Sequence, residues 1–265
     1  MQKTDISWAK NPDGTQGFTS NPVKGKCPIG CSFCYAEKIR KHYGWPERLS
    51  FHVEELSAIK RRKKPAGIFL GSMIDLFHKD TCGPMPEILE TIRACPQHRF
   101  YMLTKCPENL HHFTFPDNVY LGVTVTDQAM ADRSIPYLLS AEAKVRYLSI
   151  EPLLGPLDPG FYLKVRFGKV DTGEYGQLVT TEEPEQKINW LIIGAQSKPT
   201  IMPKIEWVKT IVESCDKAGV PMFLKDSLIP ILPTDNPLFY PYGKLRQEVP
   251  LWTVQLKSAV TTKHQ

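Results

Sequence analysis

Short hydrophobic runs alternate along the chain with stretches in which apolar residues recur at helical spacing. Six runs are rich in Val, Ile, Leu, Phe and Tyr and end in small or polar residues; they span residues 68–73, 99–104, 119–125, 146–150, 190–194 and 221–224. Continuous apolar runs of this length are typical of parallel strands that are covered on both faces. A weaker seventh run covers residues 49–52.

Helical periodicity predicts five helices between these runs, over residues 35–41, 54–62, 86–94, 127–139 and 205–218. In the last of them Ile205, Val208 and Ile211 share one face, and Gly219 follows as a stop signal. Alternation of strands and helices predicts an α/β fold with a parallel sheet and right-handed crossovers. A whole or partial α/β barrel fits the number of units, and a doubly wound open sheet is the alternative.

The chain of 265 residues reads as a single domain over residues 1–265. Residues 157–186 form a polar insertion that interrupts the alternation of strands and helices. Two segments in which apolar and polar residues alternate flank Asp171-Thr172-Gly173 and predict a β-hairpin. This hairpin is either a lid, with Phe161, Tyr162 and Phe167 facing the barrel cavity, or a solvated ornament. Residues 226–265 are rich in proline and aromatic residues at their start, and we expect them to wrap the barrel as a C-terminal extension.

Composition and charge narrow the class of protein. Hydrophobic residues make up 42% of the chain and charged residues 23%, which is ordinary globular usage. With no apolar run of about 18 residues and no signal-peptide pattern, the sequence predicts a soluble cytoplasmic protein without membrane contact. The net charge of +5 permits contact with a polyanion. The dense run at positions 60–64 is either a nucleic-acid contact or a solvated face, and it precedes a strand, away from the expected active end.

Three of the seven cysteines, Cys27, Cys31 and Cys34, lie within eight positions in the spacing C-x3-C-x2-C. Gly30 between them allows a tight bend, so that the three sulfur atoms can turn toward one point. Three thiolates fill three corners of a metal centre and leave the fourth open, whereas structural zinc sites usually take four protein ligands. A zinc-binding interaction module completed by His52 or His78 is one interpretation of this pattern.

These motifs resemble a known superfamily. The three cysteines followed by Tyr35 are similar to the signature loop of radical S-adenosylmethionine (radical SAM) enzymes. The segments 68–78, 103–105, 121–125, 149–156 and 190–194 resemble, in order, those of a phage-associated radical SAM family of unassigned activity, over roughly residues 1–230. A more distant resemblance, at residues 72–77, is to the spore photoproduct lyase group. Ala195 and Gln196 depart from the phage-associated pattern, which has Gly and Glu there.

The resemblance implies a partial (β/α)6 radical SAM barrel. It implies that Cys27, Cys31 and Cys34 hold a 4Fe-4S cluster and that S-adenosylmethionine binds the fourth iron. The expected activity is hydrogen abstraction by a 5′-deoxyadenosyl radical from an unidentified nucleotide, nucleic acid or protein, with an electron donor of the flavodoxin or ferredoxin type. An inactive barrel that keeps a cluster for redox sensing or structure is a further alternative to the zinc module.

The resemblance also implies cofactor contacts at the ends of two strands. Gly71, Ser72 and Asp75 would receive the methionine ammonium of S-adenosylmethionine, or Ser72 and Asp75 form a helix cap and turn. Thr104 closes the next strand as a further cofactor contact. Tyr35 would pack near the adenine, or belongs to the core.

Two charged residues are the candidate catalytic groups. Lys105 follows a strand, where it pairs with the carboxylate of S-adenosylmethionine, with a substrate phosphate, or only with solvent. Glu151 follows an apolar strand and points to the same mouth, where an unpartnered carboxylate is costly. We expect Glu151 to contact cofactor or substrate, and a structural salt bridge is the alternative.

Overall fold

A mostly parallel sheet forms the centre of the computed structural model, which describes residues 1–164, 187–197 and 199–250. The strands are β1 (Gln2–Lys3), β2 (Phe18–Ser20), β3 (Val23–Lys24), β4 (Ser50–Phe51), β5 (Gly67–Leu70), β6 (Arg99–Thr104), β7 (Val119–Thr124), β8 (Val145–Ile150), β9 (Trp190–Ile193), β10 (Gln196–Ser197), β11 (Thr200–Ile201) and β12 (Met222–Leu224). The helices are α1 (Tyr35–His42), α2 (Val53–Arg61), α3 (Met85–Arg93), α4 (Gln128–Ser140), α5 (Gly160–Lys164) and α6 (Ile205–Ala218), with 3-10 helices at Pro107–His112, Asp226–Ile231 and Pro241–Gly243.

The main sheet has the order β1-β2-β5-β6-β7-β8-β9-β12. Every neighbouring pair is parallel except β1 with β2. The six predicted strands are therefore confirmed as consecutive parallel neighbours, joined by β2, which the hydrophobic pattern did not predict. The weaker run at residues 49–52 lies outside this sheet, because β4 pairs with β3.

The sheet curls strongly around Trp8. The indole lies 5.1 Å from the ring of Phe69 on β5 and 6.2 Å from the ring of Trp190 on β9, measured between centroids. These two strands are four positions apart in the sheet, which in a flat sheet would separate them by about 19 Å. One side chain contacts both only because the sheet wraps around it, so the fold is compatible with a partial α/β barrel.

Side chains of alternate residues divide between the two faces of the sheet. On the helix side, residues such as Met102 and Leu148 join the large core beneath the helices. On the concave side, Tyr101, Tyr147 and Trp190 form an aromatic cluster around Trp8. A Cβ at Gly122 would lie 2.4 Å from the Tyr147 ring, so only glycine leaves room for it. The aromatic cluster fills the concave side of the curled sheet around Trp8, which leaves the carboxyl end of the sheet for a site.

The predicted helices are present, and their ends have identifiable causes. Asp127 is the N-cap of α4, where its side chain accepts the backbone N–H of Met130 at 2.9 Å. Gly219 ends α6 with a left-handed φ of 65°. The helix α6 covers the residues that the periodicity predicted. None of the helices in the described ranges is long and apolar enough to cross a membrane.

The described part of the polar insertion begins with the helix α5 and not with a hairpin strand. Asp158 accepts the backbone N–H of Gly160 at 2.8 Å and the hydroxyl of Ser214 on α6 at 2.7 Å, which starts the helix against α6. Tyr162 donates to Asp132 on α4, and Phe161 is exposed. The prediction that these two aromatic residues face the cavity is therefore wrong. Residues 165–186, with Phe167 and the expected turn, lie outside the described residues.

The C-terminal segment follows the edge of β12. The backbone N–H of Leu224 donates to Arg246 O, and that of Glu248 donates to Met222 O, each at 2.8 Å. The Trp190 indole donates to Glu248 O at 2.8 Å, at the amino end of β9. This segment therefore covers the bottom of the curved sheet as far as residue 250, and residues 251–265 lie outside the described residues.

Candidate functional site

The three clustered cysteines lie in the loop between β3 and α1. All three are free and half-buried, and Gly30 among them has a left-handed φ of 66°. Cys34 is also the N-cap of α1, where its sulfur accepts the backbone N–H of Glu37 at 3.4 Å. The backbone N–H of Cys34 donates to Cys31 O at 3.1 Å, which makes the loop a defined turn.

Electrostatic contacts connect this loop to the ends of β5 and β6. Burial raises the pKa of the Cys27 thiol, and hydrogen bonds from the backbone amides of Asp75 and Ile29 partly oppose that effect. Burial also raises the pKa of Cys31, with the Lys105 ammonium acting in the opposite direction. The raised pKa values favour the protonated thiols of Cys27 and Cys31, and binding of a metal cation would release those protons.

The donor set suits a cluster with three protein ligands, although the side chains are not drawn together around a point. In the part of the chain that the structure describes, no three His, Cys, Asp or Glu side chains are arranged to hold a metal ion. The two candidate zinc ligands make local contacts: the ring nitrogens of His52 contact Ser50 and Glu54, and Nδ1 of His78 accepts the backbone N–H of Asp80. These hydrogen bonds involve none of the three cysteines.

The end of β5 turns sharply at Gly71. This residue has a left-handed φ of 72°, and a Cβ there would lie 2.7 Å from Cγ of Leu76, so the turn requires glycine. Ser72 exchanges hydrogen bonds with the side chain of Asn21 at 3.2 and 3.3 Å. Asn21 also accepts the backbone N–H of Met73 at 3.0 Å. Sequence reasoning missed Asn21, because it follows the unpredicted strand β2.

Asp75 is a buried carboxylate surrounded by donors. It accepts the Thr104 hydroxyl at 2.9 and 3.1 Å, the Lys105 backbone N–H at 2.7 Å and the Phe77 backbone N–H at 3.0 Å. Burial raises the pKa of Asp75, and these hydrogen bonds oppose the rise. Thr104 is itself buried, and its oxygen accepts the backbone N–H of Cys106 at 2.8 Å. Thr104 therefore positions Asp75, which in turn ties the end of β5 to the end of β6.

Lys105 and Tyr35 stand above this buried network. Lys105 is half-buried, and the described residues supply no ion pair for its ammonium group. Tyr35 donates its hydroxyl to the backbone carbonyl of Ser72, so the first residue of α1 reaches across to β5. Although 48% of the residue is exposed, burial of the hydroxyl end raises the pKa of Tyr35 to about 12, and the charges of Cys34 and Glu151 add to the rise.

On the opposite side of the mouth, Glu151 forms an ion pair with Lys225. Both side chains are about three-quarters buried. Gly194 lies beneath them, and a Cβ there would be 3.1 Å from Cδ of Lys225 and 3.2 Å from Cδ of Glu151. The sequence analysis did not identify Lys225. Like Lys105, however, Lys225 is a charged residue that directly follows a predicted strand.

The structure thus brings the predicted site residues to one end of the sheet. The cysteine loop, the turn after β5, Lys105 and Glu151 all lie at the carboxyl ends of parallel strands. The basic run at positions 60–64 lies at the end of α2, before β5, and therefore at the opposite end. Lys64 there pairs with Asp13 at 2.9 Å.

Fold and site together define a mixed α/β protein with a curled parallel sheet and a three-cysteine loop at its carboxyl end. Residues 3–227 match the model of a family described as a protein of unknown function (DUF5131), and the chain belongs to this family. No curated protein matches the chain.

Among solved structures, one similar chain is a variant of spore photoproduct lyase with bound AdoMet and dinucleoside spore photoproduct. The two chains are 14% identical, and the TM-score is 0.37. The similarity covers 51% of this chain and 45% of that chain, so this chain spans less than half of the length of that protein.

Proposed function

We propose that this protein is a radical SAM enzyme in which Cys27, Cys31 and Cys34 hold a 4Fe-4S cluster. The observation that supports this function best is the set of three free thiols in one loop, beside Asp75 and Lys105 at the carboxyl end of a curled parallel sheet. When bound, the cluster and S-adenosylmethionine supply reductive cleavage to a 5′-deoxyadenosyl radical, which abstracts hydrogen from the substrate.

The protein residues bind and orient the cofactors. The end of β5, with Gly71 and Ser72, receives the methionine ammonium, and the buried Asp75 carboxylate contributes negative charge from below. The ammonium of Lys105 is available for the carboxylate of S-adenosylmethionine. Tyr35 presents a half-exposed ring to the adenine while its hydroxyl remains on the Ser72 carbonyl.

The substrate side of the site is the Glu151 and Lys225 pair. The Glu151 carboxylate lies within electrostatic reach of Tyr35, on the far side of the mouth from the cysteine loop. Lys225 keeps this carboxylate in one position, so that it can accept a substrate proton or a hydrogen bond. The aromatic cluster around Trp8 closes the barrel from below and excludes water on that side.

The direct test is anaerobic reconstitution of the full chain with iron and sulfide. We expect about four irons per chain and, after addition of S-adenosylmethionine and dithionite, formation of 5′-deoxyadenosine detected by chromatography. The Cys27→Ala, Cys31→Ala, Cys34→Ala triple variant should lose both. Cys82→Ala is the matched control, because Cys82 is also free and half-buried, lies outside the loop and should keep both.

Two results would reject this function. One stoichiometric zinc without iron after anaerobic reconstitution would support the zinc module. A full iron complement without any 5′-deoxyadenosine would support the cluster-containing barrel without radical chemistry.

Binding of S-adenosylmethionine tests the strand-end assignments separately. Ser72→Ala, Lys105→Met and Glu151→Gln should each leave the iron content intact. We expect Lys105→Met to weaken binding of S-adenosylmethionine by about ten-fold, equivalent to about 1.4 kcal/mol, in equilibrium dialysis. Unchanged affinity in Ser72→Ala and Lys105→Met would reject the assignment of these residues to the cofactor.

A further inference from the structure

An exposed pair of aromatic rings lies just after α1 and has no role in the core. Tyr43 and Trp45 are 64% and 47% exposed. Their rings stack with centroids 5.4 Å apart and an interplanar angle of 19°. His42 packs edge-on against Tyr43 at 4.8 Å. The two stacked rings therefore each cover one face of the other, and both residues remain largely exposed to solvent.

The backbone that carries these rings is held in place. Tyr43 and Trp45 donate their backbone N–H groups to Ile39 O and Arg40 O, at 3.1 and 3.0 Å. Gly44 between them has a left-handed φ of 62°, as a helix end of this kind requires. Arg40 Nη1 donates to Trp45 O at 2.8 Å, and Glu37 holds the same guanidinium at 2.7 Å. The aromatic pair is therefore preorganised, and its exposure is not the result of a loose loop.

Positive charge is concentrated around the pair. Residues 24–53 contain six Lys and Arg residues and two Glu, a balance of +4 in a chain whose total is +5. Among these cations, Lys24 pairs with Glu55 and Lys26 pairs with Glu47, each at 3.3 Å. The Lys41 side chain is 71% exposed, and its ammonium lies 3.6 Å from Glu37 Oε1. Arg48 is exposed, and the described residues supply no carboxylate for it. Lys26 donates its backbone N–H to Glu47 O at 2.9 Å, which brings Arg48 beside the cysteine loop.

We propose that this surface, made of Tyr43, Trp45, Lys26, Lys41 and Arg48 and named here the stacking surface, binds single-stranded nucleic acid. Flat exposed rings stack on unpaired bases of any sequence, and flanking cations neutralise the phosphates. An acidic protein partner would match the charge but would not require two exposed, parallel aromatic rings. The inference goes beyond the proposed function and does not depend on a cluster being present.

The proposal assigns nucleic-acid contact to a different surface from the basic run at positions 60–64, which lies at the opposite end of the sheet. This difference provides the control. Lys60→Gln with Lys63→Gln removes two exposed positive charges outside the stacking surface, and Lys41→Gln with Arg48→Gln removes two charges within it.

The experiment measures fluorescence anisotropy of a fluorescein-labelled 12-nucleotide oligo(dT) with the full chain, at salt concentrations between 50 and 200 mM. We expect Tyr43→Ala with Trp45→Ala to weaken binding at least about ten-fold without changing the slope of log K against log salt. Lys41→Gln with Arg48→Gln should weaken binding and reduce that slope by about 1.4, or 0.7 for each lost phosphate contact. The control pair at positions 60 and 63 should change affinity less than two-fold. The chain should bind the oligonucleotide equally well before and after reconstitution with iron.

Circular dichroism melting of each variant verifies folding, and Tyr43→Phe with Trp45→Phe, which keeps both rings, should retain binding. Three outcomes would overturn the proposal. They are no binding of oligo(dT) at 50 mM salt, equal loss in the stacking and control pairs, and binding of a 12-base-pair duplex as tight as that of the single strand. Retention of an acidic ferredoxin-type protein without oligonucleotide binding would assign the surface to a protein partner and reject it for nucleic acid.

Discussion

Glu151 and Lys225 form an ion pair that crosses over a strand lying between them. Glu151 follows β8 and Lys225 follows β12, and β9 separates these two strands in the sheet. The residue that directly follows β9 at this level is Gly194, which has no side chain to obstruct the contact. A glycine on one strand thus makes possible a charge pair between its two neighbours.

Gly194→Ala should disturb this pair. The new Cβ would lie 3.1 to 3.2 Å from carbon atoms of both side chains, so one of them must move. We expect a stability loss of about 1 kcal/mol in urea unfolding, since the pair is only partly buried and flexible. If Glu151 acts on the substrate, a displacement of this size should lower turnover about 100-fold. Lys225→Met is the matched variant and should produce a similar kinetic loss; a loss in Lys225→Met alone would mean that Gly194 has no part in positioning the pair.

Asp75→Asn should reveal the raised pKa of the buried carboxyl through the pH dependence of stability. Because burial raises this pKa, the folded state holds the proton more tightly than the unfolded state. The stability that results is full below about pH 4 and is lost as pH rises through the raised pKa. The amide of the variant does not titrate, so the variant does not lose this stability as pH rises. The free energy of unfolding of the variant should therefore be about 1 kcal/mol below that of the wild type at pH 4, and the difference should become smaller toward pH 8.

Urea unfolding of both proteins from pH 4 to pH 8 measures that difference. Carboxyls whose pKa is lowered in the folded state, such as Glu55 and Asp158, are present in both proteins and cancel. A deficit that grows with pH would contradict the prediction and would mean that the donors from Phe77, Thr104 and Lys105 dominate over burial.

Cys34 should have two separable roles. Its sulfur caps α1, so Cys34→Ala should destabilise the metal-free protein by about 0.5–1 kcal/mol, whereas Cys34→Ser keeps an acceptor for the Glu37 amide. Both variants should lose iron on reconstitution. Thermal unfolding followed by circular dichroism, together with iron analysis, distinguishes the roles, and equal stability of the two variants would show that the sulfur does not cap the helix.

Trp8→Ala should be severely destabilising. Its indole contacts the rings of Phe69, Tyr101, Tyr147 and Trp190, and the residue is 3% exposed. Removal of such a side chain lowers the free energy of unfolding by about 3–5 kcal/mol. Denaturant unfolding measures this loss, and a decrease in near-UV circular dichroism would show that the aromatic packing is disturbed. Trp45→Ala, on the surface, should change stability by less than about 0.5 kcal/mol. A small effect of Trp8→Ala would contradict its place at the centre of the curled sheet.

The hydrophobic pattern of the sequence was sufficient to predict most strands of the sheet. The strand at residues 99–104 and the helix at residues 205–218 have the predicted bounds, because apolar periodicity and a terminal signal coincide there. The run at residues 68–73 overestimates β5, which ends at Leu70 because Gly71 turns the chain with a positive φ. The strand β2 is three residues long, too short to produce a pattern, although the cysteine loop follows it.

The candidate site was predictable only in part. The spacing of the cysteines indicated the three thiols. The positions of Asp75, Lys105 and Glu151 after predicted strands indicated those three residues, because functional residues in parallel α/β folds lie at the carboxyl ends of the strands. Partners distant in sequence were not visible: Glu151 and Lys225 are 74 positions apart, and Thr104 and Asp75 are 29 apart. Local pattern also gave no sign that the Thr104 hydroxyl is used by Asp75, since burial of both depends on the curl of the sheet.

The aromatic cluster inside the curled sheet is shared by the first and the last described segments of the chain. Trp8, near the start, and the backbone carbonyl of Glu248, near residue 250, both contact the Trp190 side chain. Loss of either segment would therefore expose the same rings to solvent. The two segments should behave as one cooperative unit, with backbone amides near Trp8 and near Glu248 showing the same free energy of opening in native-state hydrogen exchange experiments.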